Sequence, residues 1–371
     1  MHLRKLAVLG ALCLAALSVS AAPRYELETF DKLPGATLEG IGAFNDQGQF
    51  AATWRLPRRQ GLTLTLYTPG IGYESLMPSG LPVQSGGDFG AKDMNERGEV
   101  AALVNGNAYV LRAGGPATVV PGTGGRYSGA MAIDDAGRVV GFREDPGAYR
   151  AYAWSTATGF ETLPFRNSLA EDLNDNGQVL VHDGGSGRTR YWRHDLNTGG
   201  STEIGIGMDV RPDARINDQG DVVFTTGPGH ASRIHLWHDG VVSPIAGPAG
   251  SIRDEVLDFN NHGLVLGQSI LRDGATAILD SFLHQVGGPT FSLQSLIDPA
   301  DLVGWEGIAV SRINDRGDIV GWGVRENEFD WTPLLLRSVA IAGPVPEPAT
   351  WGMGLLGAMG VVATLRRRRT G

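Results

Sequence analysis

The sequence contains almost no cysteine: Cys13 is the only one among its 371 residues. A fold held together by disulfides is therefore excluded. Basic residues are also outnumbered, with 31 Lys and Arg against 40 Asp and Glu and a formal net charge of −9. Such an acidic chain disfavours nucleic acid and anionic lipid as partners.

Long apolar runs are absent except at the two ends of the chain. At the N-terminus, Arg4 and Lys5 precede an apolar run over residues 6–17, and the small residues at 19–21 suit signal peptidase. We therefore predict that residues 1–21 are a secretory signal peptide. Cys13 is removed with it, so the exported chain has no cysteine left.

The C-terminal apolar run lies between a proline turn and an arginine cluster. Pro346, Glu347 and Pro348 precede 17 uncharged residues (349–365), which as a helix would measure about 25 Å, near the lower limit for spanning a bilayer. The run is followed by Arg366, Arg367, Arg368 and Arg369. Four arginines hold that end on the cytoplasmic side of a membrane. A permanent single-span anchor has the same physical pattern and is the alternative.

This tail resembles the PEP-CTERM sorting signal of Gram-negative bacteria. The resemblance implies that residues 344–371 form a sorting signal with a short hydrophobic helix, which an exosortase recognises and cuts. It also implies a transient stay in the inner membrane, followed by delivery to the cell surface or the extracellular matrix. The resemblance concerns sorting and assigns no activity.

Without the two end signals, the chain is more acidic. The six basic residues that they carry change the formal net charge from −9 for the whole chain to −15 for residues 22–348. About 325 residues exceed the usual size of a single hydrophobic core, unless the architecture is modular. We therefore expect internal repeats.

Seven copies of one turn motif recur along the chain. Each copy has Asn or Asp, a second polar residue, any residue and then Gly, with apolar residues on both sides. The turn glycines are Gly48, Gly98, Gly137, Gly177, Gly220, Gly263 and Gly317, at a mean spacing of about 45 residues. The Asn or Asp side chain bonds the local backbone and glycine accepts a left-handed conformation, so the motif favours a hairpin.

The apolar residues around each turn predict two strands, a and b. A third strand, c, follows each turn by 13 to 21 residues and often ends in an aromatic residue, as at Trp154 and Trp237; a short strand d follows. Four strands in about 45 residues are typical of a propeller blade. We therefore predict an all-β, seven-bladed β-propeller over residues 22–343. Six or eight blades and a β-solenoid are the alternatives.

In this prediction the N-terminal strand closes the ring. Residues 25–35 have the pattern of a strand d before the first turn, while the seventh repeat ends after its strand c. Pairing these two strands removes exposed sheet edges and joins the chain ends, which stabilises a protein without disulfides. Residues 338–342 are the alternative source of the closing strand.

The turn of residues 313–321 and strands such as Arg150–Trp154 resemble the HAF family of extracellular repeats, over roughly residues 25–340. The His-Ala-Phe element of that family is degraded here, with Arg150-Ala151-Tyr152 the nearest match. The resemblance implies an extracellular repeat fold. It assigns no role to a histidine.

One turn carries the strongest metal candidate. Asp172, Asn174, Asn176 and Asp183 place oxygen ligands at positions 1, 3, 5 and 12 of a loop that has Gly177 at position 6, the spacing of an EF-hand calcium loop. An aspartate stands at position 12, where an EF-hand has glutamate. Because every repeat needs this turn for its hairpin, a turn without metal is the favoured interpretation. Ca²⁺ is the one cofactor that the sequence suggests.

The other chemistry-bearing residues favour structural roles. His230, His235 and His238 are close in sequence, but residues 235 and 238 face opposite sides of a strand, which argues against a three-histidine metal site. Packing between neighbouring blades is expected for the recurrent tryptophans: Trp54, Trp154, Trp192, Trp237 and Trp322. No nucleophile motif, phosphate loop or pair of catalytic carboxylates stands out.

The sequence therefore predicts a non-enzymatic binding or structural module of the cell surface or matrix. Exopolysaccharide or a surface protein is the expected partner, and signal peptidase and exosortase are the processing enzymes. One alternative is a propeller glycosidase or polysaccharide lyase, which requires charged side chains to converge at the central opening. The other is a calcium-stabilised adhesion module.

Overall fold

The computed structural model describes residues 22–77, 89–123, 127–184, 189–206, 208–211, 213–273 and 276–339. The predicted signal peptide (1–21) and sorting signal (344–371) lie outside the described residues. The residues from Arg24 to Val339 form one compact unit. Within the ranges described, no helix is long and apolar enough to cross a membrane.

Seven four-stranded antiparallel sheets form a β-propeller, which confirms the predicted fold. In blades 1 to 6, strands a to d follow one another along the chain. Blade 1 comprises β2 (Thr37–Phe44), β3 (Phe50–Arg55), β4 (Leu62–Thr68) and β5 (Gly72–Ser75). Blade 2 comprises β6 (Gly90–Met94), β7 (Val100–Val104), β8 (Asn107–Leu111) and β9 (Thr118–Val119). Blade 3 comprises β10 (Ser128–Ile133), β11 (Val139–Asp145), β12 (Ala148–Ser155) and β13 (Gly159–Thr162).

The next three blades repeat this order. Blade 4 comprises β14 (Ser168–Leu173), β15 (Gln178–Asp183), β16 (Arg190–Asp195) and β17 (Ser201–Ile204). Blade 5 comprises β18 (Arg215–Ile216), β19 (Val222–Thr226), β20 (Arg233–His238) and β21 (Val241–Ile245). Blade 6 comprises β22 (Ser251–Phe259), β23 (Leu264–Asp273), β24 (Thr276–Gln285) and β25 (Thr290–Ser292). Short 3₁₀ helices lie at Pro57–Arg59 and Leu293–Leu296.

Blade 7 combines the two ends of the compact unit. It comprises β26 (Trp305–Ile313), β27 (Ile319–Arg325), β28 (Thr332–Val339) and β1 (Arg24–Thr29). Strand β1 pairs antiparallel with β28, from Arg24 opposite Val339 to Thr29 opposite Leu334. The predicted closure by the N-terminal strand is therefore correct, and Ser338 belongs to β28. Strand β28 thus has a partner on both sides, and its edge is not exposed.

The hydrophobic core is divided into clusters between neighbouring blades. One cluster joins Leu38, Phe50 and Trp54 of blade 1 to Val320 and Leu335 of blade 7. Comparable clusters join blades 1 to 6 in sequence. All five recurrent tryptophans belong to these clusters or pack against them, as expected: Trp54, Trp154, Trp192, Trp237 and Trp322.

The seven turns between strands a and b are closed by one set of hydrogen bonds. In each turn the glycine N–H donates to the carbonyl three residues earlier, and the glycine φ lies between 69° and 80°. The Asn or Asp Oδ1 accepts the N–H four residues later, at 2.7 to 3.1 Å. The recurring Asn and Gly are therefore explained by the hairpin. The seven turns together define one end of the ring, which we call the turn face.

Candidate functional site: the central channel

A closed chain of hydrogen bonds surrounds the axis at the turn face. We call its members the rim: Asp46, Glu96, Asp135, Asp175, Asp218, Asn261 and Asp315, the residues that follow the Asn or Asp of each turn. The backbone N–H of each rim residue donates to the side-chain oxygen of the rim residue in the next blade, at 2.7 to 2.9 Å. The last bond, from Asp315 to Asp46, closes the ring. Six of the seven rim side chains are acidic.

The rim carboxylates affect one another's ionisation. Burial raises the pKa of Asp46, Glu96 and Asp175 above the usual values, and neighbouring rim carboxylates raise it further. The backbone N–H bonds act in the opposite direction, since they stabilise the ionised form. The turn face therefore presents a ring of negative charge around the axis.

A second set of residues lies deeper in the channel. We call it the channel ring: Ala43, Asp93, Ala132, Asp172, Arg215, Asp258 and Arg312, two residues before the Asn or Asp of each turn. Strand a has an irregular register at this point in six blades. The extra residue of such a bulge changes the direction of the side chains. The five charged members line the channel.

The three channel-ring aspartates join blades in pairs. Asp93 Oδ2 accepts the N–H of Ile133, so it joins blade 2 to blade 3 at 2.9 Å. Asp172 joins blade 4 to blade 5 through Ile216, also at 2.9 Å. Asp258 joins blade 6 to blade 7 in the same way, through the N–H of residue 313 at 2.9 Å. Blade 1 has no part in these pairs.

Two arginines of the channel ring neutralise part of this charge. Arg215 Nε lies 3.7 Å from Asp258 Oδ1, and Arg215 also acts electrostatically on Asp172. Arg312, from blade 7, donates a hydrogen bond to the carbonyl of Lys92 in blade 2, at 3.3 Å, and so bypasses blade 1. Each arginine also donates to the carbonyl of the residue before it, at 2.8 and 2.9 Å. The two guanidinium groups are therefore held alike in their blades.

The aspartates are not fully compensated. Burial, with a smaller contribution from the neighbouring Asp172, raises the pKa of Asp93 to about 7, although backbone N–H bonds and Arg312 act to lower it. Burial raises the pKa of Asp172 to about 6, against the influence of Arg215. Asp93 thus changes its charge close to neutral pH.

Two further carboxyl groups line the channel below the channel ring. Glu171 accepts a short hydrogen bond from the hydroxyl of Tyr191, and burial raises the pKa of Glu171 to about 7. His182 Nδ1 lies 3.4 Å from Glu171, but burial lowers the pKa of this histidine, so it is neutral at pH 7. Burial also raises the pKa of Asp213 to about 6. Tyr191 is fully buried and serves to position Glu171.

These side chains enclose a cavity of about 570 Å³. Its wall includes rim residues, so the cavity opens on the turn face. The volume is within the range of small-ligand pockets. The wall is predominantly polar, but every blade also contributes the apolar residue that precedes its turn Asn or Asp: Phe44, Met94, Ile133, Leu173, Ile216, Phe259 and Ile313. Met131 and Leu169 add to the apolar lining on blades 3 and 4. The channel can therefore accept hydrogen-bonding and charged ligands.

The four predicted calcium ligands do not form one cluster. Asp172 lies in the channel ring, while Asn174 and Asn176 donate to the carbonyls of Asn217 and Asp218 in the next blade. Asp183 lies at the far end of β15, about 16 Å along the strand, and bonds Arg190 at 2.8 Å. Across the described parts of the chain, no group of three or more His, Cys, Asp or Glu side chains is arranged to hold a metal ion.

The three histidines considered for metal binding also differ in their contacts and exposure. His235 contacts Thr226 Oγ1 at 3.2 Å, whereas His238 contacts Asp221 Oδ1 at 2.5 Å. His235 is half-buried and His238 is exposed, because alternate residues of β20 face opposite sides. His230 is exposed outside the strand.

Sequence reasoning missed the channel ring as a site. The signal was available: five of the seven residues two positions before the turn Asn or Asp are charged, in a strand that otherwise reads as buried. In the innermost strand of a propeller blade, the central channel is the only place where a charged side chain can contact water. The bulge that turns these side chains into the channel has no signature in the sequence.

Comparison with known proteins identifies the tail and the fold. Residues 344–369 match the PEP-CTERM protein-sorting motif. This motif implies export and exosortase-dependent sorting to the cell surface. No curated protein matches the chain.

Solved structures support the propeller at low sequence identity. The β-propeller domain of the Trilobed protease from Pyrococcus furiosus is 17% identical, with a TM-score of 0.50 over 71% of this chain and 86% of that one. A structure from a study of two prolyl endopeptidases is 12% identical, with a TM-score of 0.55 over 81% of this chain and 50% of that one. A puromycin hydrolase mutant is 14% identical, with a TM-score of 0.51 over 83% and 54%. The chain spans about half the length of the last two proteins. At these identities the similarity concerns the fold alone.

Proposed function

We propose that this protein is a non-enzymatic binding module of the cell surface or extracellular matrix, and that its propeller binds exopolysaccharide at the channel mouth. The observation that carries the proposal is the polar cavity of about 570 Å³ that opens through the rim. The sorting motif supports a location where such polymers are found. The proposal has three further parts. The repeats are similar to the HAF family, and the source is a Gram-negative bacterium. A surface protein is the alternative partner.

The charge of the site narrows the kind of polymer. Six rim carboxylates repel an anionic chain, and the formal charge of −15 over residues 22–348 adds a repulsive field. A neutral or cationic polysaccharide meets no such barrier. Hydroxyl groups can bond the carboxylates and guanidinium groups of the channel, and the apolar residues of its wall suit the carbon face of a sugar ring.

A binding experiment tests the proposal directly. The exported chain, residues 22–371, is purified in mild detergent and titrated calorimetrically with neutral, cationic and anionic oligosaccharides. We expect saturable binding of neutral or cationic chains, at least tenfold weaker in Asp172→Asn and unchanged in Glu74→Gln, a matched change at an exposed residue of blade 1. Equal binding by both variants would place the ligand outside the channel and contradict the proposal.

A glycosidase or lyase is the second candidate. It is favoured by one observation: carboxyl groups with pKa values near neutral converge with two arginines in the channel. Groups that exchange protons near pH 7 suit general acid and base catalysis. The repulsive rim favours a glycosidase over a lyase of acidic polymers. Product analysis by mass spectrometry after prolonged incubation separates this candidate from binding alone, and Glu171→Gln should abolish any cleavage.

Calcium-stabilised adhesion is the third candidate. It requires Asp172, Asn174, Asn176 and Asp183 to share an ion, although their side chains are engaged in separate bonds. A fall in melting temperature on chelation, restored by Ca²⁺ and absent in Asp183→Asn, would support it. An unchanged melting temperature would exclude it.

A further inference from the structure

The channel ring repeats every two blades, and one repeat is incomplete. Each aspartate is followed in the next blade by a second residue of the ring: Asp93 by Ala132, Asp172 by Arg215 and Asp258 by Arg312. Two of the three pairs thus contain a guanidinium group. The pair of blades 2 and 3 has a methyl group in its place.

The two arginines show where a cation is held in this ring. Arg215 lies between the aspartates of blades 4 and 6, and its Nε is 3.7 Å from Asp258. Its charge acts on both Asp172 and Asp258. The corresponding place in blade 3 lies between Asp93 and Asp172, which also interact with each other electrostatically. The channel-ring residue of blade 3 supplies no cation there, since Ala132 has a methyl group and is buried in the core between blades 3 and 4. The charge of Arg312 also acts on Asp93 and Asp172, but from blade 7.

The cavity extends to this place. Met131 and Ile133 of blade 3 line it, as does Leu169 of blade 4. Lys92 also lines the cavity, from blade 2. A ligand in this part of the channel therefore meets two carboxyl groups, the Lys92 side chain and apolar residues.

We propose that the channel at blade 3 is a subsite for an organic cation, an ammonium group of an amino sugar, which takes the position that Arg215 and Arg312 fill in the other pairs. The proposal rests on the proposed function and narrows its ligand to a polysaccharide with free amino groups. The ammonium group bonds Asp93 and Asp172, while the carbon face of the sugar contacts Met131 and Leu169. The acidic rim concentrates such a ligand at the channel mouth.

Calorimetry with matched oligosaccharides tests the subsite. The chain of residues 22–371 is titrated at pH 7 and low salt with a glucosamine tetramer, with the N-acetylglucosamine tetramer and with spermidine. We expect the glucosamine tetramer to bind at least tenfold more tightly than its acetylated counterpart. Spermidine distinguishes an amine on a sugar from an amine alone.

Two variants locate the binding. Asp93→Asn should weaken binding of the glucosamine tetramer at least tenfold, with Glu74→Gln as the unaffected control. Ala132→Arg should abolish binding because it supplies the missing guanidinium group, and Ala132→Gln controls for side-chain size. Melting curves establish that each variant is folded. If the variants at the buried Ala132 do not fold, Asp93→Asn alone tests the subsite.

The outcomes separate this inference from the proposed function. Equal binding of both tetramers, with no effect of Asp93→Asn, would overturn the cation subsite while channel binding of glycans stands. Binding of spermidine without either tetramer would support the subsite and contradict the polysaccharide. Absence of binding by all three ligands would overturn the subsite.

Discussion

The rim and the channel ring are built from the same seven turns, yet they differ in regularity. Every rim position has an oxygen acceptor, and all seven bonds close. The channel ring, three residues earlier in each repeat, contains three aspartates, two arginines and two alanines. The rim is therefore fixed by the requirements of the fold. The channel ring is where the blades differ, and this difference gives the channel its chemistry.

The largest effect is expected where the turn bonds close the ring between blades 7 and 1. Asn314 accepts the N–H of Asp318 and donates to the carbonyl of Asn45, at 2.9 and 3.1 Å. Asn314→Ala leaves both buried partners without this side chain, so we expect the free energy of unfolding to fall by about 2–4 kcal/mol. Chemical denaturation measures it. Asn314→Asp keeps the acceptor and should cost about half as much; equal losses would mean that the bond between blades contributes little.

A smaller loss is expected when an arginine of the channel ring is removed. Arg215→Ala deprives Asp172 and Asp258 of their shared cation, so we expect a loss of about 2–3 kcal/mol, less than for a fully buried pair because the side chain is partly exposed to the channel. Millimolar methylguanidinium should restore part of the melting temperature by occupying the vacated position. The control is Arg55→Ala, a surface arginine paired with Glu39. If methylguanidinium raised the melting temperature of both variants, or of neither, a specific guanidinium site at the position of Arg215 would be contradicted.

The pH dependence of stability follows the raised pKa of Asp93, and the raised pKa values of Asp46, Glu96 and Asp175 in the rim act in the same direction. The Asp93 pKa of about 7 in the folded protein exceeds the ordinary value of about 3.9, so the native state retains a proton that the unfolded chain has lost. Ionising Asp93 therefore destabilises the fold, and stability should decrease as pH rises from about 4 to 7 and then level off. Glu171, Asp172 and Asp213 contribute in the same direction.

Thermal melting between pH 5 and 8 measures this slope. We expect Asp93→Asn to reduce the decrease by about 2 kcal/mol, a value that allows for screening by water in the channel. Arg312 and Asp172 act on Asp93 with opposite signs, and Lys92 also faces the cavity. Because Arg312 lowers the pKa of Asp93, Arg312→Gln should extend the decrease in stability to higher pH. An Asp93→Asn variant with an unchanged slope would show that other carboxyl groups govern it.

The sequence was sufficient to predict the architecture because the fold depends on local signals that recur. Seven Asn/Asp and Gly turns, the aromatic strands c and the unpaired N-terminal strand predict the blade number and the closure correctly. The site was not predicted because it depends on distant residues. Asp93, Asp172 and Asp258 are about 80 residues apart in sequence and meet only when the ring closes. The EF-hand spacing of Asp172–Asp183 stays a prediction, although β15 carries Asp183 away from the turn.

The smallest effect is expected at a single rim carboxylate. Asp46→Asn retains an oxygen that accepts the N–H of Asp315, and Asn261 already fills a rim position in blade 6 with its amide. We therefore expect the free energy of unfolding to change by less than about 0.5 kcal/mol. Asp46→Ala removes the acceptor and should cost about 1 kcal/mol or more. Denaturation of both variants decides whether the rim needs an acceptor or a charge. A loss in Asp46→Asn as large as in Asp46→Ala would show that the negative charge of the rim, and not its hydrogen bonds, holds the turn face together.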